Sequence, residues 1–251
     1  YGGIDDLNNK IIRCVGNPDD RFDEDALRIM RAVRFAAQLG FEIDGDTREA
    51  ARKHAPELRE ISAERIETEL TKLLISDHPE KLEEMYELRI TKEFLPEFDR
   101  LMETPQNNPY HIYDVGRHTI EVIKNVPPTK VMRYAALLHD IGKPDCKTTD
   151  ERGIDHFKGH AILGEKLSGN IMRRLKMDNA TIRDVKKIVY WHDFGIDGTF
   201  KKKTVRKMLS EMGVEYYESL MAIKLADIKG QSDYRLEERM RVYNLIRAYS
   251  E

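Results

Sequence analysis

The sequence predicts an all-α protein in two helical parts, and three observations carry that reading. Apolar residues recur at three- and four-residue spacing along almost all of the 251 residues, the period of helices that bury one face. The alternation that a half-buried strand needs is confined to Lys10-Ile11-Ile12-Arg13-Cys14-Val15. A polar, proline-bounded stretch, Thr104-Pro105-Gln106-Asn107-Asn108-Pro109, divides the chain into about 1–103 and 104–251.

The elements follow in order. Pro18-Asp19 begins a turn, and Asp23 caps a helix that runs through 24–37 and is closed by Gly40. A second helix begins near Asp46-Thr47, and Ser62 caps a third over 62–70. A fourth covers roughly 79–89. Beyond the divide, a helix over 115–126 ends at Pro127-Pro128. An apolar helix from Val131 to Leu138 then runs into His139-Asp140 and is broken by Gly142 and Pro144. The charged segment 144–156 is a loop or small hairpin. Later helices cover about 160–175, 179–192, 203–212, 215–229 and 233–249. No repeat of fixed period is present.

Composition narrows the function classes. Hydrophobic residues make up 40% and charged residues 35%, and the formal charge of −3 gives no global basic field for nucleic acid. RNA contact therefore needs a local patch. Cys14 and Cys146 form neither a CxxC pair nor a disulfide framework, which points to a reducing, cytoplasmic compartment. No apolar run approaches about 18 residues, so no membrane partner is expected. No secretory signal opens the chain, and a start at Tyr1-Gly2-Gly3 without Met is expected of a piece of something longer. Oligomeric state leaves no trace in the sequence.

Four of the eight histidines, with two aspartates, stand where metal chemistry would want them. His118 lies in the first helix of the second half, His139-Asp140 closes an apolar helix, His160 follows Gly159, His192 ends another helix, and Asp227 ends Leu225-Ala226-Asp227. The His-Asp dipeptide occurs twice and is weak by itself. Its setting in Leu137-Leu138-His139-Asp140-Ile141-Gly142-Lys143 is stronger, because it puts two ligand types inside an aliphatic shell. Imidazole with carboxylate suits Zn, Mn, Fe or Mg better than a thiolate site would. A metal held there lowers the pKa of bound water and polarises a phosphoryl oxygen, or serves only as a staple for the helices. Of the other histidines, His111 beside Tyr110 and Tyr113 reads as an interface residue and His156 before Phe157 as a substrate contact. His54 and His78 read as solvated.

His118, His139-Asp140 and Asp227 resemble the H…HD…D pattern of the HD phosphohydrolase superfamily. The resemblance implies an all-helical fold in which these four residues bind a divalent metal (Mg, Mn, Ni, Fe or Zn). It also implies hydrolysis of phosphomonoesters or phosphodiesters centred on His139 and Asp140. His160 and His192 stand where two-metal members carry extra ligands.

The second informative segment is Glu24-Asp25-Ala26-Leu27-Arg28-Ile29-Met30-Arg31-Ala32-Val33-Arg34-Phe35. Arg28, Arg31 and Arg34 recur every three residues and share one side of a helix, with Asp25 a turn before Arg28. Spacing alone leaves two readings. One is a solvated face of i,i+3 ion pairs worth a few tenths of a kcal/mol. The other is an acceptor and a guanidinium fork offered to a base edge, with further forks for phosphates.

This segment, with Asp5-Asp6-Leu7, Ile12-Arg13-Cys14-Val15-Gly16 and Arg21-Phe22-Asp23 before it, resembles the end of the head and the neck of class II tRNA nucleotidyltransferases, the CCA-adding enzymes and poly(A) polymerases. Tyr110-His111-Ile112-Tyr113-Asp114-Val115-Gly116-Arg117-His118-Thr119 and His156-Phe157-Lys158-Gly159-His160 resemble the HD-containing bacterial members. The resemblance implies that Asp25 and Arg28 read the Watson–Crick edge of incoming CTP or ATP. Arg31 and Arg34 would then lie near the triphosphate, and Ser62-Ala63-Glu64-Arg65-Ile66 would brace the site. It makes 1–103 a helical neck, 104–251 a helical HD-type metal-binding body, and the tRNA acceptor end the partner. The family's head, with its Gly-Ser loop and DxD metal pair, has no counterpart in the sequence, so this polypeptide alone is expected not to add nucleotides. The expectation is thus a CCA-adding fragment with a metal-binding HD domain. The alternatives are a stand-alone HD phosphohydrolase acting on nucleotides or cyclic phosphodiesters, and a non-catalytic, metal-stabilised RNA-binding body. Lys201-Lys202-Lys203 with Arg206-Lys207, and Arg183 with Lys186-Lys187, are solvated faces or phosphate tracks; Phe194 and Phe200 lie near the first.

Overall fold

The computed structural model describes residues 2–195, 198 and 200–250. They form helices and two small two-stranded ladders, an all-α architecture. Two compact units emerge: Tyr1–Asp99 with Ile171–Met177, and Arg100–Asn170 with Asp178–Glu251.

The first unit starts with α1 (Gly3–Asn8), β1 (Ile11–Ile12) and α2 (Pro18–Glu24). It continues through α3 (Leu27–Leu39), β2 (Glu42–Ile43), α4 (Gly45–His54), a 3-10 turn (Ala55–Glu60) and α5 (Ala63–Leu74). After a second 3-10 turn (Pro79–Lys81) come α6 (Leu82–Glu87), α7 (Thr91–Phe94) and α8 (Pro96–Met102). Only Ile11 and Ile12 of the candidate strand pair, in parallel, with Glu42 and Ile43. The core is the seam of α3 on α5. Leu27, Ile29, Met30, Val33, Ala36 and Ala37 are buried on one helix, and Ile66, Leu70, Leu73 and Leu74 on the other. Each large aliphatic side chain so buried contributes about 1.5–3 kcal/mol. Gly40 closes α3 in the left-handed region at φ 65°, where a Cβ would also meet His78 Nε2 at 2.6 Å.

Several local expectations are corrected. Pro18 starts a helix rather than a turn, because Asn17 accepts the Asp19 N–H and proline suits a first turn. Asp23 lies inside that helix and caps nothing. The chain breaks at extended Asp25 (φ −157°), whose carboxylate accepts the Leu27 N–H at 3.2 Å. The helix expected near Asp46-Thr47 is present as α4, which starts at Gly45 with Asp44 as its cap. Ser62 is the N-cap residue of α5 as expected, but through its carbonyl, which accepts from Arg65 and Ile66, and not through its side chain. The helix expected over 79–89 is a 3-10 turn and the short α6, ended by Arg89 at φ 61°.

In the second unit, α9 (Val115–Asn125) and α10 (Lys130–Leu138) precede a short α11 (Lys143–Cys146). The hairpin β3 (Thr148–Thr149) and β4 (Asp155–His156) follows, then α12 (His160–Arg174) and α13 (Asn179–Trp191). The last helices are α14 (Lys202–Met212), α15 (Tyr217–Lys229) and α16 (Leu236–Ser250). Asp114, Thr129 and Asp178 cap α9, α10 and α13 by accepting N–H bonds. The centre is α10, buried from Met132 to Leu138 and packed against α9 and α13. Even Arg133 is 5% exposed, because its guanidinium donates to the Ile123 carbonyl at 2.5 Å. α15 lies on α9, and α16 on α14 and α15. Among the described residues no helix is long and apolar enough to cross a membrane.

Candidate functional site

The apolar α10 delivers His139 and Asp140 to the middle of the second unit, 0% and 2% exposed. Three other helix ends bring His118, His160 and His192, and α15 supplies Asp227. All four histidines are buried and are held the same way. The Nδ1 of His118 donates to the Gly230 carbonyl at 3.1 Å and that of His139 to Ala136 at 2.7 Å. The Nδ1 of His160 donates to Phe157 at 2.8 Å and that of His192 to Val189 at 2.7 Å. Each Nδ1–H bond orients its ring and turns Nε2 inward.

Those four nitrogens surround the Asp140 carboxylate in two pairs. Oδ2 lies 3.1 Å from His139 Nε2 and 3.8 Å from His118 Nε2; Oδ1 lies 3.3 Å from His160 Nε2 and 3.7 Å from His192 Nε2. Asp227 Oδ1 closes the first group at 2.9 Å from His118 Nε2. The ligand atoms of His118, His139 and Asp227 lie within 4.8 Å of one another, as do those of Asp140, His160 and His192. Two features fit a divalent cation. His139 Nε2 and Asp140 Oδ2 face each other, buried, without satisfying hydrogen-bond geometry. The Nε2 atoms of His160 and His192 meet at 3.1 Å, which brings two lone pairs together unless a cation or proton separates them. The donor set, imidazole nitrogen with carboxylate oxygen, is that of Zn, Mn, Fe, Ni or Mg.

Electrostatics follow from burial against charge. Burial alone would raise the Asp140 carboxyl, but His139 and the Lys143 ammonium hold it well below the usual carboxylate range. Burial likewise opposes ionisation of Asp227, and His118 outweighs it, so that carboxyl is also held low. Burial would lower His139 and His160, yet Asp140 raises both. His192 goes the other way: burial pushes it down.

The structure adds side chains that motif reading does not assign. Lys143 is buried, 2.7 Å from Asp140 Oδ2, and donates to Gln106 Oε1 at 2.8 Å. His111, expected at an interface, packs edge-on against His118 with centroids 4.8 Å apart, and burial drives its pKa down to about 3. Lys224, one turn before Asp227, donates to the His192 carbonyl at 2.8 Å, and burial brings its pKa down to about 8. The i,i+3 spacing of Lys224 and Asp227 was a signal that could have found it. A pocket of about 600 Å³ is shared by Asp140, His160, His192, Asp227, His111, Lys143 and Lys224. His156 also lines it, on the hairpin, with its Nε2 3.1 Å from Asp150.

The arginine face lies in the first unit. The pairing is not the i,i+3 one that spacing offers. Arg28 donates to Glu24 at 2.6 Å and to the Arg21 carbonyl at 2.9 Å. Asp25 accepts from Arg65 of α5 at 2.9 Å and has Arg31 at 4.0 Å. Arg34 lies 2.7 Å from Glu69, a buried α5 carboxylate that sequence reading passed over, and covers the Phe35 ring at 3.7 Å. Asp25, Arg28, Arg31 and Arg34 thus lie on one charged surface with side-chain exposures of 23%, 30%, 42% and 12%. His54 is corrected from solvated to buried: Asp19 of α2 and Glu57 take its two ring nitrogens at 2.7 and 2.6 Å. His78 stays half-exposed beside Glu80. Of the basic clusters, Lys201, Lys202, Lys203, Arg206 and Lys207 are exposed. Arg183 pairs with Asp184, and Lys186 with Glu165.

Comparison with known proteins gives two family matches: residues 40–102 to the probable RNA and SrmB-binding site of polymerase A, and residues 110–229 to the HD domain. The Multifunctional CCA protein of Neisseria gonorrhoeae is 32% identical over 243 residues, which cover 92% of this chain and 58% of that protein. The CCA-adding enzyme of Ligilactobacillus salivarius is 47% identical over 93 residues, 37% of this chain and 23% of that protein. Among solved structures, the Bacillus stearothermophilus CCA-adding enzyme in complex with CTP superposes with a TM-score of 0.64 at 23% identity, over 99% of this chain and 52% of that one. The chain therefore spans a little over half the length of the multifunctional relatives it matches.

Proposed function

Since the chain belongs to the tRNA nucleotidyltransferase family of CCA-adding enzymes, we propose that it serves tRNA 3′-end synthesis with a nucleotide-selecting neck, about 1–103, and that its HD body, about 104–251, is a metal-dependent phosphohydrolase. The observation that carries the second half is the convergence of four uniformly oriented Nε2 atoms on one buried carboxylate. His118, His139, Asp140 and Asp227 would hold one divalent cation, and Asp140, His160 and His192 a second. When bound, such a cation activates water and neutralises charge on a phosphoryl oxygen. The protein's own part is to fix the imidazoles through carbonyls, to keep Asp140 and Asp227 ionised, and to confine the ester in a pocket lined by Lys143 and His111. Protein groups that are preorganised in this way are worth more in a water-poor site than in bulk solvent.

In the neck, Asp25 would accept from, and Arg28 donate to, the base edge of CTP or ATP, with Arg31 and Arg34 toward the phosphates. The Arg65 contact to Asp25 and the Glu69 contact to Arg34 support that reading, since both fix the side chains that would face the nucleotide. The tRNA acceptor end is the expected partner, and a reducing cytoplasm the expected compartment.

The test uses phosphomonoester and phosphodiester substrates with Mn²⁺, Ni²⁺, Mg²⁺ or Zn²⁺. Hydrolysis lost in His139→Ala is expected. Metal that binds without hydrolysis of either ester would make the cluster a staple only. In the longer polypeptide, Asp25→Ala and Arg28→Ala should impair nucleotide transfer and CTP/ATP choice; unchanged transfer and choice would end the neck assignment.

A further inference from the structure

Two lysines flank the carboxylate–histidine cluster, and their surroundings set them apart. The Lys143 ammonium is already engaged: Asp140 Oδ2 lies at 2.7 Å, Gln106 Oε1 at 2.8 Å, and the Phe157 ring centroid at 5.2 Å. Three N–H groups have three neighbours, so Lys143 acts as a fixed counter-ion. Lys224 has one acceptor among the described residues, the His192 carbonyl at 2.8 Å. That carbonyl sits at the C-terminal end of α13, where carbonyls lack helical partners and the helix end is negative. One N–H therefore anchors the ammonium and two remain for the pocket that it lines with Asp140, His160 and Asp227. Asp227, three residues on, places a ligand of the first group on the same side of α15.

We propose that Lys224 receives an anionic phosphoryl oxygen of the substrate and makes the pocket prefer phosphomonoesters to phosphodiesters. The inference deepens the phosphohydrolase reading and rests on it for the identity of the ligand. A monoester carries a second negative charge near neutral pH that a diester lacks. A positive charge held by one anchor and otherwise free interacts more strongly with the dianion. Ile154, Ile228, Val242 and Ile246 give the same pocket apolar surface beside its charged lining.

The experiment titrates inorganic phosphate and dimethyl phosphate into the whole chain loaded with Mn²⁺, by calorimetry. It compares wild type, Lys224→Met and Lys224→Arg, each with its bound manganese and thermal midpoint measured. Lys224→Met should weaken phosphate binding about tenfold or more, the scale of a lost charge-assisted hydrogen bond. Dimethyl phosphate binding should change less than about threefold, manganese content should hold, and Lys224→Arg should lie nearer wild type than Lys224→Met. In kinetics the same contrast should appear in KM for p-nitrophenyl phosphate against the bis-p-nitrophenyl diester. Equal loss for both anions, no loss for either, or loss of manganese together with phosphate would overturn the proposal; the last would mean that Lys224 acts only by holding His192. Should Lys224→Met fail to fold, Lys224→Gln is judged by the same criteria. A chain that binds phosphate through Lys224 but hydrolyses neither ester keeps the anion subsite and refutes the phosphohydrolase. A chain that hydrolyses both esters unchanged by Lys224→Met does the reverse.

Discussion

The two charged centres of this chain manage like problems in opposite ways. Around Asp140 the charges are buried: side-chain exposure is 2% for Asp140, 1% for His139 and 8% for Lys143. On the α3 face two of the three arginines are wet, Arg28 at 30% and Arg31 at 42%, and their carboxylates Glu24 and Asp25 are at 50% and 23%. Burial strengthens each attraction but charges a desolvation cost that complete pairing must offset. The buried cluster is therefore rigid, with every imidazole tied to a carbonyl. The exposed pairs are worth about 0–1 kcal/mol each and can be exchanged cheaply for ligand groups. The first arrangement suits the metal site proposed for the second unit, and the second suits the nucleotide surface proposed for the first. Glu69 stands between them: a buried carboxylate that reaches Arg34 at 2.7 Å and Arg31 at 3.8 Å, the fixed backing of an otherwise exchangeable face.

The largest effect expected from this contrast is at Asp140. Asp140→Asn removes the charge that Lys143 and two imidazoles answer, and should cost about 3–5 kcal/mol, the scale of breaking a buried ion pair. Metal retention should fall with it. Trp191, the single tryptophan, immediately precedes His192, so urea unfolding followed by its fluorescence reports on this unit. A loss below about 1 kcal/mol would mean that the buried charges are not the framework of the second unit. Next comes Glu69→Gln, which leaves Arg34 without its buried partner; roughly 1.5–3 kcal/mol of destabilisation is expected in urea titrations by circular dichroism. Arg28→Ala and Arg65→Ala, on the same face but exposed, should cost no more than about 1 kcal/mol each. If Glu69→Gln is as mild as they are, the distinction between backing and exchangeable face collapses.

Sequence and structure part company where contacts are non-local. His118, His139, Asp140, His160, His192 and Asp227 were legible because each stands at or near a helix boundary marked by Gly, Pro or a run of aliphatics, and motif order supplied the rest. The structure brings their side chains together, with the Nδ1–H of three histidines on the carbonyl three residues earlier, a relation local enough to be anticipated. Gln106 reaching Lys143 across 37 residues, and Arg65 reaching Asp25 across 40, have no periodic signature. The helix break before α3 misled for a related reason: Asp23 and Asp25 both qualify as caps by residue type, but only Asp25, where the backbone is extended at φ −157°, accepts an N–H of the following helix. His54 looked solvated because its partners Asp19 and Glu57 come from two different elements.

That last residue gives the smallest prediction and the one with the clearest sign. His54 is a buried imidazole in the first unit, so it tests whether burial of charge is special to the histidine–aspartate cluster. Burial alone would lower its pKa, but Asp19 and Glu57 outweigh that and raise it. A raised folded value means that its stabilisation is fully present below the unfolded value of about 6.5 and is lost as pH climbs through the folded value. Asp19, held below its ordinary value by Lys53 and His54, works the other way: its contribution is present above about 3.9 and fades as pH falls through its folded value. The bridge between α2 and α4 is therefore strongest between about pH 4 and 6.5. His54→Gln should cost the first unit more stability at pH 5.5 than at pH 8.5 in urea titrations. An equal cost at both would mean that the imidazole is held neutral between its carboxylates, and a larger cost at pH 8.5 would reverse the sign and the argument with it.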